Sequence, residues 1–185
     1  MYLLAIEAYI LGSIPFAQIV AGLCKRIDLR KTGSGNVGAT NVFQQVGLLA
    51  GLLAAVGDVG KGVLAAYMGI AAGANGQFVA LLLAIIGHNW PVWLGFRGGG
   101  GLATFIGGML VISNWWIVLI LLGAWGSIHL IMKEHNRSAI VACSLAAPIL
   151  GYFHSSLKYF LFGLVAALVV GLKRFFYLIK DAHRA

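Results

Sequence analysis

Charge is scarce in this chain of 185 residues. Only 10% of them are Asp, Glu, Lys or Arg, and 5 are acidic, where an ordinary soluble domain carries about 25% charged residues. A soluble fold would have too little polar side chain to cover itself. Cysteine is almost missing: Cys24 and Cys143 stand alone, with no CxxC and no metal-ligand spacing, which argues against a disulfide framework or a zinc site. No cofactor and no metal are expected. Proline is limited to 3 positions, and the long Leu, Ile, Val and Ala runs exclude disorder. Those runs alternate too weakly for a membrane barrel. There is no internal repeat and no low-complexity tail. The first segment lacks a basic n-region and carries Glu7 and Pro15, so it is expected to stay as a span and not to be cleaved as a signal peptide.

What is abundant is apolar: 61% of the chain is hydrophobic and 26 residues are glycine. Since a lipid-embedded backbone must satisfy its own hydrogen bonds, the fold class is all-α, a polytopic integral membrane protein forming one domain over residues 1–185. With about 20 residues needed per crossing, seven spans are expected: 2–23, 46–73, 77–94, 101–113, 114–133, 138–154 and 157–180. The fourth is short, and its Gly101, Gly107 and Gly108 suit close packing on neighbouring helices.

The net charge of +8 does not point to nucleic acid, because the basic residues sit in short clusters between apolar runs. They read as topology signals. Lys25, Arg26, Arg30 and Lys31 fall in the first loop, Arg97 in the third, Lys133 and Arg137 in the fifth, and Lys173, Arg174, Lys180 and Arg184 at the C-terminal end. Lys158 alone falls on the other side, and Lys61 lies within a span. The N-terminus is therefore expected outside, and the C-terminus and loops one, three and five in the cytoplasm.

This topology brings three polar stretches to one face: "KTGSGNVGATN" (31–41), "GHNWPVWLGFRGGGG" (87–101) and "KEHNRS" (133–138). Two are glycine-rich in a way that frees backbone N–H groups to form an anion nest, so a phosphate-bearing ligand at the cytoplasmic surface is expected. The plainer alternative is a re-entrant loop whose glycines only turn the chain. GSGNVG matches G-x-G-x-x-G by letter, but no strand precedes it and no βαβ unit fits, so a dinucleotide site is excluded. Asp58 and Lys61 share a helical face within a span; they form either a mutually neutralising buried pair or one that also orients the loops. His88, just before Pro91, is a candidate proton acceptor or a clasp for the loop backbone. Trp90 and Trp93 read as interfacial anchors. His129, His135, His154 and His183 have no metal-ligand spacing, and His129 to Glu134 only approximates an HxxxxD acyltransferase signature.

"GSIPFAQIVAGL", "GSGNVGATNVFQQVG", "DVGKG" and "GHNWPVWLGFRGGGGLAT", in that order, resemble the bacterial acyl phosphate:glycerol-3-phosphate acyltransferases of the PlsY type over roughly residues 10–108. The resemblance implies a seven-span inner-membrane enzyme that transfers a fatty acyl group from acyl phosphate to the 1-hydroxyl of glycerol 3-phosphate. Its partners would be those two substrates and membrane lipid, with no nucleic acid, and it would act as a monomer. It implies catalytic roles for Ser34, Asn36 and His88. Substrate and phosphate contacts would fall to Gly33, Gly35, Gly38, Thr40, Asn41, Asp58, Lys61, Arg97, Gly98, Gly99, Gly101 and Thr104, and to Ser138 through a looser match in loop five. Two departures stand out. Gly100 occupies the place of the family's loop lysine, and Gln44 that of an arginine. A charge-assisted hydrogen bond contributes about 1.5–3 kcal/mol, so each loss is expected to weaken phosphate binding unless Arg97, Lys133 or Arg137 compensates. A degenerate paralogue that binds without turnover, or acylates another acceptor, is the second reading. A small transporter is the third; it is weakened by the clustering of polar residues at one face.

Overall fold

A computed structural model describes residues 1–73 and 75–182, and the side chains of all of these up to Ile179. Every regular element is helical: α1 (Tyr2–Ser13), α2 (Phe16–Lys25), α3 (Ala39–Gln45), α4 (Leu48–Ile70), α5 (Gly76–Asn89), α6 (Leu102–Ile112), α7 (Trp115–Met132), α8 (His135–Ser144), α9 (Ala146–His154) and α10 (Leu157–Ala182). A single 3-10 turn, Val92–Leu94, follows α5. Among the described residues, five stretches are long and apolar enough to cross a membrane: Tyr2–Lys25, Leu48–Ile70, Gly76–Leu94, Trp115–Met132 and Leu157–Ile179. The segment expected at 101–113 holds the 11-residue α6, and that at 138–154 is divided between α8 and α9. Arg184 and His183 lie outside the described residues, as does the Lys180 side chain.

Three departures from the expected elements have local causes. The first span is not one continuous helix: Pro15 has no N–H and pushes Ile14 to an extended conformation, ψ 116°, so α1 ends and α2 begins anew. Loop one is not wholly irregular, because Gly38 serves as the N-cap of α3, which places Thr40 and Asn41 in a helical first turn. The sixth segment breaks at Leu145, and Pro148 sits in the first turn of α9, where a missing N–H costs nothing.

The helices gather into two compact units, Met1–Ile112 and the part from Ser113 onward. In the first, α1 meets α5 through Gly12 and Gly87: a Cβ on Gly12 would lie 2.2 Å from the Ala84 carbonyl oxygen, and one on Gly87 2.3 Å from that of Tyr9. The α4–α6 pair uses Gly62 and Gly107 in the same way, each 2.0 Å from a carbonyl of the facing helix, Thr104 and Val59. Lipid supplies no hydrophobic drive between helices, so backbone approach through small residues is the main source of association. In the second unit Gly163 packs on Ala147 and Gly151 on Phe160, closing the α9–α10 hairpin. There α8 begins at Glu134, whose carboxylate accepts from the Asn136 and Arg137 amides. That N-cap role accounts for the acid that made "HLIMKE" approximate a catalytic signature.

Candidate functional site

The polar stretch of loop one is held down by apolar pegs. Leu29, Val37 and Val42 are buried in a cluster with Ala17 and Ala21 of α2, Ala50 and Ala54 of α4, and Leu94. Gln18 of α2 grips the strand of loop beside them, donating to the Ile27 carbonyl and accepting from the Leu29 amide, both at 2.9 Å. Arg30 pairs with Asp28 at 2.8 Å and donates through Nη1 to the Leu94 carbonyl at 3.3 Å, tying loop one to the 3-10 turn. The hydrogen bond from Arg30 holds the Asp28 carboxyl below the usual carboxylate range, against the raising effect of burial.

Asn41 is the bolt of this loop. Its side-chain amide donates to the carbonyls of Asn36 (2.9 Å), Thr32 (3.0 Å) and Leu29 (3.4 Å), and the residue is buried. Gly33 lies against it: φ is +60°, and a Cβ there would sit 2.3 Å from Asn41 Oδ1. With Asn41 pulling the chain inward on both sides, Ser34 is turned out to an exposed position, its Oγ accepting from the Asn36 amide at 3.4 Å. Thr40 is exposed too. The buried Oδ1 atoms of Asn36 and Asn41 have no hydrogen-bond donor among the described residues.

Beneath the loop runs a buried relay. Asp58 and Lys61, 1% and 2% exposed, pair at 2.9 Å, and His88 Nδ1 approaches the same carboxylate oxygen at 3.3 Å. Lys61 Nζ also donates to the Ile14 carbonyl at 2.9 Å and lies 5.9 Å from the Phe16 ring centroid. The Pro15 break withdraws that carbonyl from the helical ladder, so the interruption of one helix supplies the ligand that a buried ammonium on another requires.

Loop three closes over His88. The Gly98 and Gly99 amides donate to the carbonyls of Asn89 (3.2 Å) and His88 (3.0 Å), so these two N–H groups close a turn and do not form the anion nest expected of them. Close approach explains the glycines. A Cβ on Gly98 would lie 2.1 Å from the His88 carbonyl oxygen, and one on Gly99 2.1 Å from His88 Nε2 and 2.6 Å from the Val37 carbonyl oxygen. Loops one and three therefore meet at Gly99, with the imidazole between them. Gly101, φ +79°, leads into α6, and a Cβ there would sit 2.7 Å from Asn89 Oδ1.

Arg97 is exposed, Gly100 is buried and Gln44 is exposed. Thr104, fully buried on α6, has a hydroxyl with no partner among the described residues. Ser138 belongs to the other unit, where its hydroxyl donates to the Glu134 carbonyl and lies 3.4 Å from His129 Nδ1. Among the described residues no three His, Cys, Asp or Glu side chains gather as metal ligands.

Gln18, Arg30 and Asn89 position the site and were not singled out from the sequence. Asn89 had a signal, since an amide directly after His88 and before Trp90-Pro91 has little reason to be in an apolar span. Gln18 had the same one, a lone amide inside "PFAQIVAG". Loops one and three thus meet over an imidazole fixed on a buried carboxylate, with Ser34 and Arg97 exposed on the two loops.

The chain is similar to known proteins along nearly its whole length. The family model described as glycerol-3-phosphate acyltransferase matches residues 2–179. A glycerol-3-phosphate acyltransferase of Carboxydothermus hydrogenoformans is 38% identical over 170 residues, 91% of this chain and 86% of that protein. Glycerol-3-phosphate acyltransferase 2 of Moorella thermoacetica is 40% identical over 172 residues, 90% and 87%. The crystal structure of PlsY, an integral membrane glycerol 3-phosphate acyltransferase, in its glycerol 3-phosphate form, superposes with a TM-score of 0.84 at 31% identity, covering 99% of this chain and 90% of that one. The all-helical fold described above is thus that of an integral membrane protein.

Proposed function

Because the chain belongs to the glycerol-3-phosphate acyltransferase family, we propose that it transfers a fatty acyl group from acyl phosphate to the 1-hydroxyl of glycerol 3-phosphate, giving lysophosphatidic acid. The observation that carries this reading is the meeting of loops one and three at Gly99, Val37 and His88. In the reaction the acceptor hydroxyl oxygen bonds to the acyl carbon, the carbon–oxygen bond to phosphate breaks, and inorganic phosphate leaves with the electron pair. The donor is already activated, so the protein needs no covalent nucleophile; it must hold two phosphorylated groups in contact and accommodate developing charge.

In that scheme Ser34 and Asn36 meet the acceptor at the rim. Arg97 and the first-turn amides of α6, entered through Gly101, face the phosphate, since helix N-termini favour anions. His88, with Nδ1 fixed by Asp58, keeps its Nε2 edge as the basic one and receives the hydroxyl proton or directs it to the leaving phosphate. Asp58 and Lys61 are positioning residues. Gly33, Gly35, Gly38, Thr40 and Asn41 shape the loop and Thr104 lies on α6 below it; Ser138, whose hydroxyl donates to the Glu134 carbonyl within the second unit, is given no substrate contact. The family model matches residues 2–179, which supports reading the chain as one acyltransferase domain, and the reading takes it to act as a monomer.

The same reading sets the chain in the bacterial inner membrane with seven spans, the N-terminus outside and the site loops cytoplasmic. Single-cysteine variants at Ser34 and Trp115 test this: a membrane-impermeant maleimide applied to intact cells should label position 115 and spare position 34. The catalytic proposal is tested with purified protein in lipid, given acyl phosphate and labelled glycerol 3-phosphate. Lysophosphatidic acid is expected; none, beside an active relative, would overturn it. Gly100 and Gln44 favour the second reading, a paralogue that binds a phosphorylated ligand without turnover. Binding of glycerol 3-phosphate with no product would select it.

A further inference from the structure

We propose that Tyr9 is a positioning residue for acyl transfer: its hydroxyl, acting through the Trp90 carbonyl, fixes the end of α5 and with it the His88 imidazole. This rests on the role given to His88 above. The phenol donates to the Trp90 carbonyl at 2.8 Å, across 81 positions of sequence. Trp90 is the C-cap of α5 and follows His88 and Asn89 directly. Tyr9 lies on α1, outside every polar stretch that marks the site in the sequence.

The last carbonyls of a helix have no partner within it, and Pro91 brings no N–H to extend the ladder of α5. Those of His88 and Asn89 accept from the Gly99 and Gly98 amides at 3.0 and 3.2 Å, both on the loop that itself has to be held. The next one, of Trp90, accepts from Tyr9, and of these donors only Tyr9 sits on a helix. The Tyr9 backbone is fixed at a suitable height. Its carbonyl lies 2.3 Å from where a Cβ on Gly87 would stand, and it accepts from the Ser13 hydroxyl at 2.8 Å. From Gly87 to Trp90 is about 4.5 Å along a helix, a distance that a phenol side chain spans.

Packing alone does not call for the hydroxyl. A phenylalanine would fill the same space, and a polar atom among apolar helices is costly unless it is bonded. The use of the bond lies in His88. Its Nδ1 stands 3.3 Å from the Asp58 carboxylate, already long for an N–H···O bond, which averages about 2.9 Å. Its Nε2 lies 2.1 Å from the place of a Cβ on Gly99. Both of these contacts hold the ring, and neither holds the helix end that carries it. Without the phenol the last turn of α5 can fray, the Asp58 contact lengthens, and the Gly98–Gly99 turn loses its support.

The test compares the full chain in lipid vesicles with Tyr9→Phe and Ser13→Ala. Ser13→Ala removes a bond within α1 alone and controls for the stability of that helix. In Tyr9→Phe, amide hydrogen exchange over residues 95–101, read by mass spectrometry, should speed up about tenfold, with Ser13→Ala unchanged there. Unaltered exchange in Tyr9→Phe, or an equal rise in Ser13→Ala, would overturn the proposal. Turnover separates positioning from a general loss of fold. For Tyr9→Phe kcat should fall about fivefold or more while KM for glycerol 3-phosphate stays within about twofold. An unchanged kcat, or a rise in KM that accounts for the whole loss, also rejects it. Tyr9→4-aminophenylalanine, which returns an N–H donor to the same ring position, should restore slow exchange and turnover together; failure of that rescue counts against the hydroxyl. The expected exchange pattern in a chain that makes no lysophosphatidic acid would sink the acyl-transfer reading, with the clasp of Tyr9 on α5 intact.

Discussion

Gly99 is the residue at which most of the site's geometry converges. Its missing side chain is what allows the Val37 carbonyl and His88 Nε2 to occupy the space a Cβ would take. Gly99→Ala should therefore part the two loops and reduce kcat/KM at least tenfold. A variant with normal turnover would show that the contact has no bearing on catalysis. Lys61 is expected to behave differently. Removing one member of a buried ion pair leaves its partner uncompensated and costs about 3–5 kcal/mol, so Lys61→Met should appear first as a fall in folded yield and unfolding temperature. Equal stability of Lys61→Met and the unaltered chain would contradict the role assigned to the relay.

At the scale of elements, loop one is a strap fastened at Gln18, Asn41 and the Asp28–Arg30 pair. The Asp28 pKa is depressed in the fold, so its stabilisation is complete above the unfolded carboxyl value near pH 4 and is lost as pH falls through the lower folded value. Proteolysis after Lys31 should accelerate at that acid end, and Asp28→Asn should show the fast rate already at neutral pH. A cleavage rate that stays flat with pH in the unaltered chain would release Asp28 from this role. The strap was only partly legible in advance. Its glycines and amides marked it as functional because such residues cannot build a core, yet the α3 turn within it was hidden. "GATNVFQQ" is short and lacks a strong N-cap side chain, so only tertiary burial of Val42 and Asn41 makes it helical. The run of glycines at 98–101 shows that N–H groups can be reached, not whether a carbonyl already accepts from them, as those of Asn89 and His88 do from Gly98 and Gly99. The break at Pro15 was visible as a residue, but its use was not, since nothing local says that Lys61, 47 positions from Ile14, will take the freed carbonyl.

For the molecule as a whole, hydropathy and family motifs carried the integral-membrane fold and the acyltransferase assignment, because a ~30 Å apolar slab constrains sequence strongly. The second unit was less readable. Its helices carry few polar landmarks, Pro148 is the sole mark of the α8–α9 division, and a basic pair such as Lys173-Arg174 does not tell from sequence that it is buried. On the proposed acyl-transfer reading, the low count of cations on loops one and three is the feature that most bears on rate. Restoring them with Gly100→Lys and Gln44→Arg should raise kcat/KM for glycerol 3-phosphate by tenfold or more, in line with about 1.5–3 kcal/mol per charge-assisted bond. No gain in the double variant would mean that other groups already neutralise the phosphates.

The hydrogen bond between Lys61 and the Ile14 carbonyl also imposes an order on biogenesis. A lysine and an aspartate near the middle of α4 each oppose insertion by about 2.5–3.5 kcal/mol, and the acceptor that eases the ammonium's entry belongs to the first membrane-crossing stretch, Tyr2–Lys25, which the ribosome has already delivered. Synthesis from the N-terminus thus places the receptor in the bilayer before its cargo emerges. A circular permutant that makes α1 and α2 last should strand α4 at the translocon, detectable as glycosylation of a reporter site placed after it.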